Sequence, residues 1–342
     1  MKSAVKDLID ISTYAGNRVD YTQGGGGNTS VKDFGAGLML IKASGYKLKD
    51  IDEKTAYVAV DLGKIKGYYG SVDLSVEKDY EKESGQIAKD SVVALPGMPA
   101  LRPSVEVGFH AILKKYVVHT HSVYANILTC SLEGEKIAEE IFKEKDYGFI
   151  FLPYINPGFS LTLAMMSAIE KYEKNTGKFP EVIFMKNHGL VVTGDDKERV
   201  KAVNTDVNET IRKRFGLKDD FKSVSLKEEN GGFVSETPII AEYLKKNELS
   251  LATLNAKPLY PDQLVYLNNL LINTPDKMAV SGGKVKYNAE LPQATTLEET
   301  LAAYIFVLSA VEKNGLRLST MNEKEVDFIN NWEAEKYRRS VK

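Results

Sequence analysis

Short β-like runs and stretches of helical spacing take turns along most of this chain, an order that commits it to a sheet covered by helices. Val5, Leu8, Ile9, Ile11 and Ala15 recur at three-and-four spacing, which predicts an amphipathic helix over 3–16 ending at Gly16. The β-like segments 38–42 and 57–60, parted by Ser44-Gly45 and a charged connection, read as a short meander. Helical patterns over 106–115, 123–130, 161–174 and 197–215 then alternate with strand candidates over 116–120, 181–185 and 190–192. The last two strands flank a tight Asn187-His188-Gly189 turn. The helix ending at 215 closes a first unit, so a domain over 1–225 and a smaller α+β extension over 226–342 are expected, as 342 residues exceed one small module. Within the extension we expect a helix over 237–246, a hairpin over 278–287 turning at Gly282-Gly283, and helices over 297–313 and 323–339, the second holding the only tryptophan, Trp332.

Charge narrows the function. Lysine plus arginine number 45 against 47 acidic residues, so the net charge of −2 leaves no basic surplus for a nucleic-acid backbone. The lone cysteine, Cys130, cannot form an internal disulfide, and the opening MKSAVKDLIDISTYAG alternates charged with apolar residues where a signal peptide needs an apolar core. A reduced, cytoplasmic protein is expected. Apolar runs such as 302–311 are shorter than the roughly 20 residues of a bilayer-spanning helix, so no membrane association is expected.

The chain has four histidines, and His110, His119 and His121 crowd one stretch, with His188 further on. His119-Thr120-His121 continues the apolar run Tyr116-Val117-Val118, and the period of two puts both imidazoles on one face of a strand. With His188 as a third ligand they suit a zinc-class ion held tetrahedrally with one open position, the arrangement of a catalytic site. Zinc is the first choice, and manganese, cobalt or iron fit the same donors. The competing reading is that the imidazoles are satisfied separately by hydrogen bonds, the commoner fate of an isolated H-x-H. Glu106 and His110 stand four apart in the helical pattern that opens at Pro103-Ser104 and so share a face. Glu106 is either a general base beside a bound cation or a solvated glutamate at a helix start, and His110 reads as a packed histidine.

Two small-residue segments, Gly24 to Gly27 running into Asn28-Thr29-Ser30, and Lys42-Ala43-Ser44-Gly45, offer unobstructed backbone amides for an anion. Neither is a P-loop or a dinucleotide fingerprint, and a flexible connection is the alternative for the glycine run.

Taken in order, GGGGNTSVK, IKASG, PSVEVGFH, VVHTHSVYAN, LPYINPGF and KNHGLVVTG resemble the class II aldolase/adducin family over approximately residues 5–215. Within it the chain is similar to fuculose phosphate aldolase and to the aldolase half of fused rhamnulose phosphate aldolase/dehydrogenase proteins. The resemblance implies a three-layer α/β/α fold with a central, mainly antiparallel sheet, and a homotetramer with active sites at subunit interfaces. It implies His119, His121 and His188 as metal ligands, Glu106 as the catalytic carboxylate, and Asn28, Ser44, Gly45 and Ser104 as phosphate-binding positions. Val105 stands where the family has a second phosphate-contacting serine, and the family's catalytic tyrosine, which reaches in from a neighbouring subunit, has no counterpart at matching spacing; Tyr147 is the nearest candidate. The implied reaction is cleavage of a ketose phosphate to a dihydroxyacetone phosphate-type product and an aldehyde through a metal-stabilised enediolate. The family also holds an epimerase, a dehydratase, decarboxylases and the non-enzymatic scaffold adducin, and a nucleotide-linked sugar is an alternative substrate.

Overall fold

The central sheet is built from β1 (Asn28–Asp33), β2 (Leu38–Lys42), β3 (Tyr57–Asp61), β4 (Val92–Val93), β5 (Tyr116–Thr120), β6 (Phe149–Leu152), β7 (Val182–Met185) and β8 (Gly189–Gly194). Their order across the sheet is β4-β3-β2-β1-β5-β8-β7-β6, and only the β6–β7 pair is parallel. The computed structural model describes residues 1–217, 221 and 223–331.

Alternation along the strands sorts side chains into two apolar layers. Leu40, Tyr116, Val118, Leu190 and Val192 point to one face, where they meet the Lys2–Gly16, Val123–Thr129, Gly134–Phe142 and Lys197–Arg214 helices. Met39, Ile41, Val117, Ile183 and Val191 point to the other, against the Leu62–Ser71, Val107–Ile112 and Phe159–Thr176 helices. The result is the expected three-layer α/β/α arrangement with a mainly antiparallel sheet.

β1 was hidden in the sequence by polar residues. Asn28, Ser30 and Lys32 lie on one face of it, and all three are buried beneath the Val107–Ile112 helix. The Lys32 ammonium donates to the carbonyls of His110 and Lys114 at 2.6 and 2.5 Å, satisfying groups at that helix's carboxyl end. The helix is shorter than its sequence pattern: it begins after Glu106, which occupies the N-cap position.

Residues after 225 add a small antiparallel sheet, from β9 (Leu226–Glu229), β10 (Gly232–Ser235), β11 (Met278–Ser281) and β12 (Lys284–Tyr287), in the order β11-β12-β10-β9. The β11–β12 hairpin turns at Gly282-Gly283, where φ is +59° and +73°, as its glycine pair predicts. The helix over Leu291–Lys313 has the length and hydropathy of a bilayer span, and most of it is buried in the fold, where Phe306 meets Tyr124 edge-on at 5.8 Å. Its apolar residues belong to the same continuous core as the Lys2–Gly16 and Lys197–Arg214 helices. The helix expected over 323–339 runs over Glu323–Asn331 as described, and the remainder, with Trp332, lies outside the described residues.

Candidate metal centre

His119 is the fourth residue of β5, on the same face as Val117, and pairs across the sheet with Asn28 of β1 and Val191 of β8. His121 follows one residue past the strand, and His188 sits in the turn between β7 and β8. Asn187 makes that turn possible with φ of +50°, a left-handed conformation that asparagine tolerates. The three imidazoles are almost fully buried, and one nitrogen from each lies within 4.8 Å of the others.

Hydrogen bonding fixes which nitrogen is free in two of the rings. Nδ1 of His119 lies 3.0 Å from the Leu190 carbonyl, which can only accept, so the proton is on Nδ1 and Nε2 presents its lone pair. Nδ1 of His121 lies 2.5 Å from the Asp262 carboxylate, with the same consequence. The two Nε2 atoms then face each other at 3.1 Å, two acceptors with no proton between them. Such a pair is repulsive unless a cation lies between the rings and draws on both, so this donor set fits a divalent metal ion. Burial pushes the His119 pKa down to about 3, which keeps the imidazole neutral and ready to ligate.

Glu106 faces these rings. Its Oε1 is 3.2 Å from His188 Nε2 and its Oε2 is 3.6 Å from His119 Nε2. Burial opposes its ionisation, and the hydrogen bond it accepts from His188 works the other way, holding the carboxyl well below the usual range. Asn28 steadies it: Nδ2 donates to Glu106 Oε2 at 2.5 Å and to Ser104 Oγ at 2.9 Å. Asn28 is in turn oriented by His110, whose Nε2 bonds the Asn28 carbonyl oxygen while its Nδ1 bonds Ser30 Oγ at 2.8 Å. His110 is thus a buried support for the carboxylate.

The centre opens on a cleft lined by Asn28, Lys42, Ser44, Gly45, Ser104, Glu106, His121 and His188, together with Pro157 and Pro261. Eight of the nine residues singled out in the sequence therefore converge, His119 among them through its contacts with Glu106 and His121. Loop 43–45 is held against the strand of chain before Glu106 by the Ala43–Pro103 bridge and by the Ser44 amide, which donates to the Arg102 carbonyl at 2.9 Å. Lys42 was outside the predicted set. It is buried in the cleft wall, and its ammonium donates to the carbonyls of Tyr46 at 2.8 Å and Gly25 at 3.2 Å.

Two expectations need correction. Tyr147, the candidate for a tyrosine offered to a neighbouring subunit, is buried in its own core on the opposite face of the sheet from His119, and its hydroxyl donates to Asp206 at 2.7 Å. The glycine run is not a flexible connection. Gly24 to Gly27 are buried, and the amides of Gly24, Gly25 and Gly26 donate to Glu299, the Tyr266 hydroxyl and the Gln23 carbonyl at 2.9, 3.1 and 2.9 Å. These residues are glycines for want of room: a Cβ on Gly27, whose φ is +66°, would sit 2.6 Å from the His119 carbonyl oxygen. Asp262, Tyr266 and Glu299 escaped the sequence reading because they lie more than a hundred positions from the groups they touch.

A family model described as Class II Aldolase and Adducin N-terminal domain matches residues 6–212. The chain is 27% identical over 206 residues to the uncharacterized oxidoreductase YuxG of Bacillus subtilis (strain 168); the match takes in 58% of this chain and spans 27% of that much longer relative. Among solved structures, it is similar to the N-terminal class II aldolase domain of a conserved protein from Thermoplasma acidophilum, at 25% identity and a TM-score of 0.50, covering 63% of this chain and 94% of that one. An L-fuculose 1-phosphate aldolase aligns at 21% identity and a TM-score of 0.42, covering 64% of this chain and 92% of that one.

Proposed function

Because this chain belongs to the class II aldolase and adducin family, we propose that it is a metal-dependent carbon–carbon lyase, cleaving a ketose phosphate or related sugar phosphate to a dihydroxyacetone phosphate-type product and an aldehyde. The observation that carries the reading is the carboxylate of Glu106 set 3.2 to 3.6 Å from two of three converging imidazoles, at the floor of a cleft with a buried lysine in its wall. His119, His121 and His188 would hold the ion, zinc by first choice. As a Lewis acid it supplies a sink for the negative charge left on the substrate's oxygens when the carbon–carbon bond breaks.

The rest is done by the protein. In the condensation direction the Glu106 carboxylate removes a proton from the carbon that forms the new bond, and in cleavage, once protonated from solvent, it gives one back to the carbon that keeps the bonding electrons. Asn28 holds the carboxylate at the angle for that transfer, and His110 holds Asn28. The Lys42 charge, with Ser44 and Gly45, would receive the phosphate end of the substrate. Ser104 is engaged by Asn28 and reads here as part of the support for Glu106. No tyrosine is among the described residues that line the cleft, so in the homotetramer we propose for this chain a neighbouring subunit would supply the group that takes the hydroxyl proton as the aldehyde forms and returns it in condensation.

The test is a panel of ketose 1-phosphates given to the metal-loaded protein, with released aldehyde measured by a coupled reductase. Aldehyde formed in step with the three-carbon product and suppressed by a chelator is the expected result. An isomer or carbon dioxide formed without carbon–carbon cleavage to an aldehyde would reassign the same centre to epimerisation or decarboxylation. Turnover indifferent to chelation would overturn the metal reading itself.

A further inference from the structure

The catalytic residues named so far all come from the first part of the chain, yet the centre they form is braced from the other part. Asp262, fully buried, accepts from His121 Nδ1 at 2.5 Å, and Pro261 beside it lines the cleft. Asp262 stands at the head of a π-helical turn, Gln263–Asn268, a rare geometry that costs regular helix hydrogen bonding and is frequent at functional sites. Gln263 locks that turn in place: its Oε1 accepts from the Leu259 amide at 2.8 Å and its Nε2 donates to the Leu254 carbonyl at 2.9 Å. The same segment reaches the third imidazole indirectly, since Asn187, next to His188, donates through Nδ2 to the Leu259 and Ser319 carbonyls at 2.8 and 2.7 Å.

Gly26 supplies an independent observation. A Cβ at this position would sit 2.1 Å from Asp262 Oδ2 and 2.8 Å from His121 Nδ1, so no other residue type leaves room for the pair. One glycine of the run is there to let a carboxylate from elsewhere in the chain reach the imidazole.

Resting on the metal-centre reading above, we infer that Asp262 is a positioning residue for the metal centre, and that the part of the chain after residue 225 is a working component of that centre. The carboxylate fixes His121 as the Nδ1–H tautomer, aims its Nε2 at the point shared with His119 and His188, and raises its strength as a donor. It touches the ligand and acts through it.

The experiment uses the full chain and zinc alone as the probe, titrated in competition with a chromophoric chelator. Asp262→Asn, which keeps the shape and removes the charge, is expected to lower zinc affinity by about 10- to 100-fold. Gly26→Ala, which displaces the pair without altering either partner, is expected to lower it as well. Should a variant fold poorly, the unsubstituted protein still decides: in its apo form, nitrogen-detected NMR of the histidine rings is expected to show His121 protonated on Nδ1, with that proton shifted far downfield by the carboxylate. Unchanged zinc affinity in Asp262→Asn, or an Nε2-protonated His121, would overturn the role of Asp262 while leaving the three-histidine site standing. Absence of zinc binding by the unsubstituted protein would instead remove the metal-centre reading, and this inference with it.

Discussion

Replacing His119 and His121 together by alanine is expected to abolish stoichiometric metal binding and, with it, every turnover the metal-replete protein supports. Both rings have Nδ1 committed to a fixed acceptor, Leu190 for one and Asp262 for the other, so both Nε2 atoms are dedicated to a common partner. His188 alone is one nitrogen donor, far short of the three that hold an ion with an open position. Elemental analysis of metal-loaded, exhaustively dialysed protein checks this. About one divalent ion per chain in the parent and none in the variant is the expected pair of results; an ion retained by the variant would place the metal elsewhere. The sheet survives the change in this account, because Val117, Val118 and Val191 remain to pack β5 into both apolar layers.

Glu106→Gln separates proton transfer from metal binding. Glutamine keeps the volume and an oxygen for Asn28 Nδ2, so the support from Asn28 and His110 stays in place and the three imidazoles are untouched. What disappears is the group that gives and takes the proton at carbon, a contribution of roughly 10²- to 10⁴-fold to the rate. Carbon–carbon cleavage is expected to fall by that factor at unchanged metal content, and exchange of the substrate's C–H proton with solvent is expected to vanish. Exchange retained at the parent rate in Glu106→Gln would assign the proton transfer to another residue.

How far the sequence spoke depended on whether a residue's partners were near it. The period of two in Tyr116-Val117-Val118-His119 marked both the strand and the side on which His119 stands, and Asn187-His188-Gly189 marked the turn that returns a third imidazole to it. β1 was overlooked because its inward residues, Asn28, Ser30 and Lys32, are polar and each is satisfied by a partner 76 to 82 positions away, so its burial left no apolar trace. The glycine run looked flexible for a related reason. What confines it is a set of atoms from Asp262, Tyr266 and Glu299, and a local pattern carries no sign of steric neighbours supplied from so far along the chain. Tyr147 is a candidate without matching spacing, and its side chain belongs to the core on the opposite face of the sheet from the histidines, with its hydroxyl on Asp206. Lys42-Ala43-Ser44-Gly45 stood out because it is contiguous, running from the last residue of β2 into the loop that lines the cleft.

The most direct test of the central claim, that Glu106 moves a proton at a carbon activated in a three-histidine metal centre, is deuterium exchange into dihydroxyacetone phosphate. The protein would be incubated with this compound in heavy water, once loaded with zinc and once stripped by a chelator, and the C–H signal followed by proton NMR. Loss of one stereospecific C–H signal is expected with the loaded protein, no loss with the stripped protein, and return of the exchange on adding the ion back. Exchange that proceeds equally with and without metal would contradict the claim.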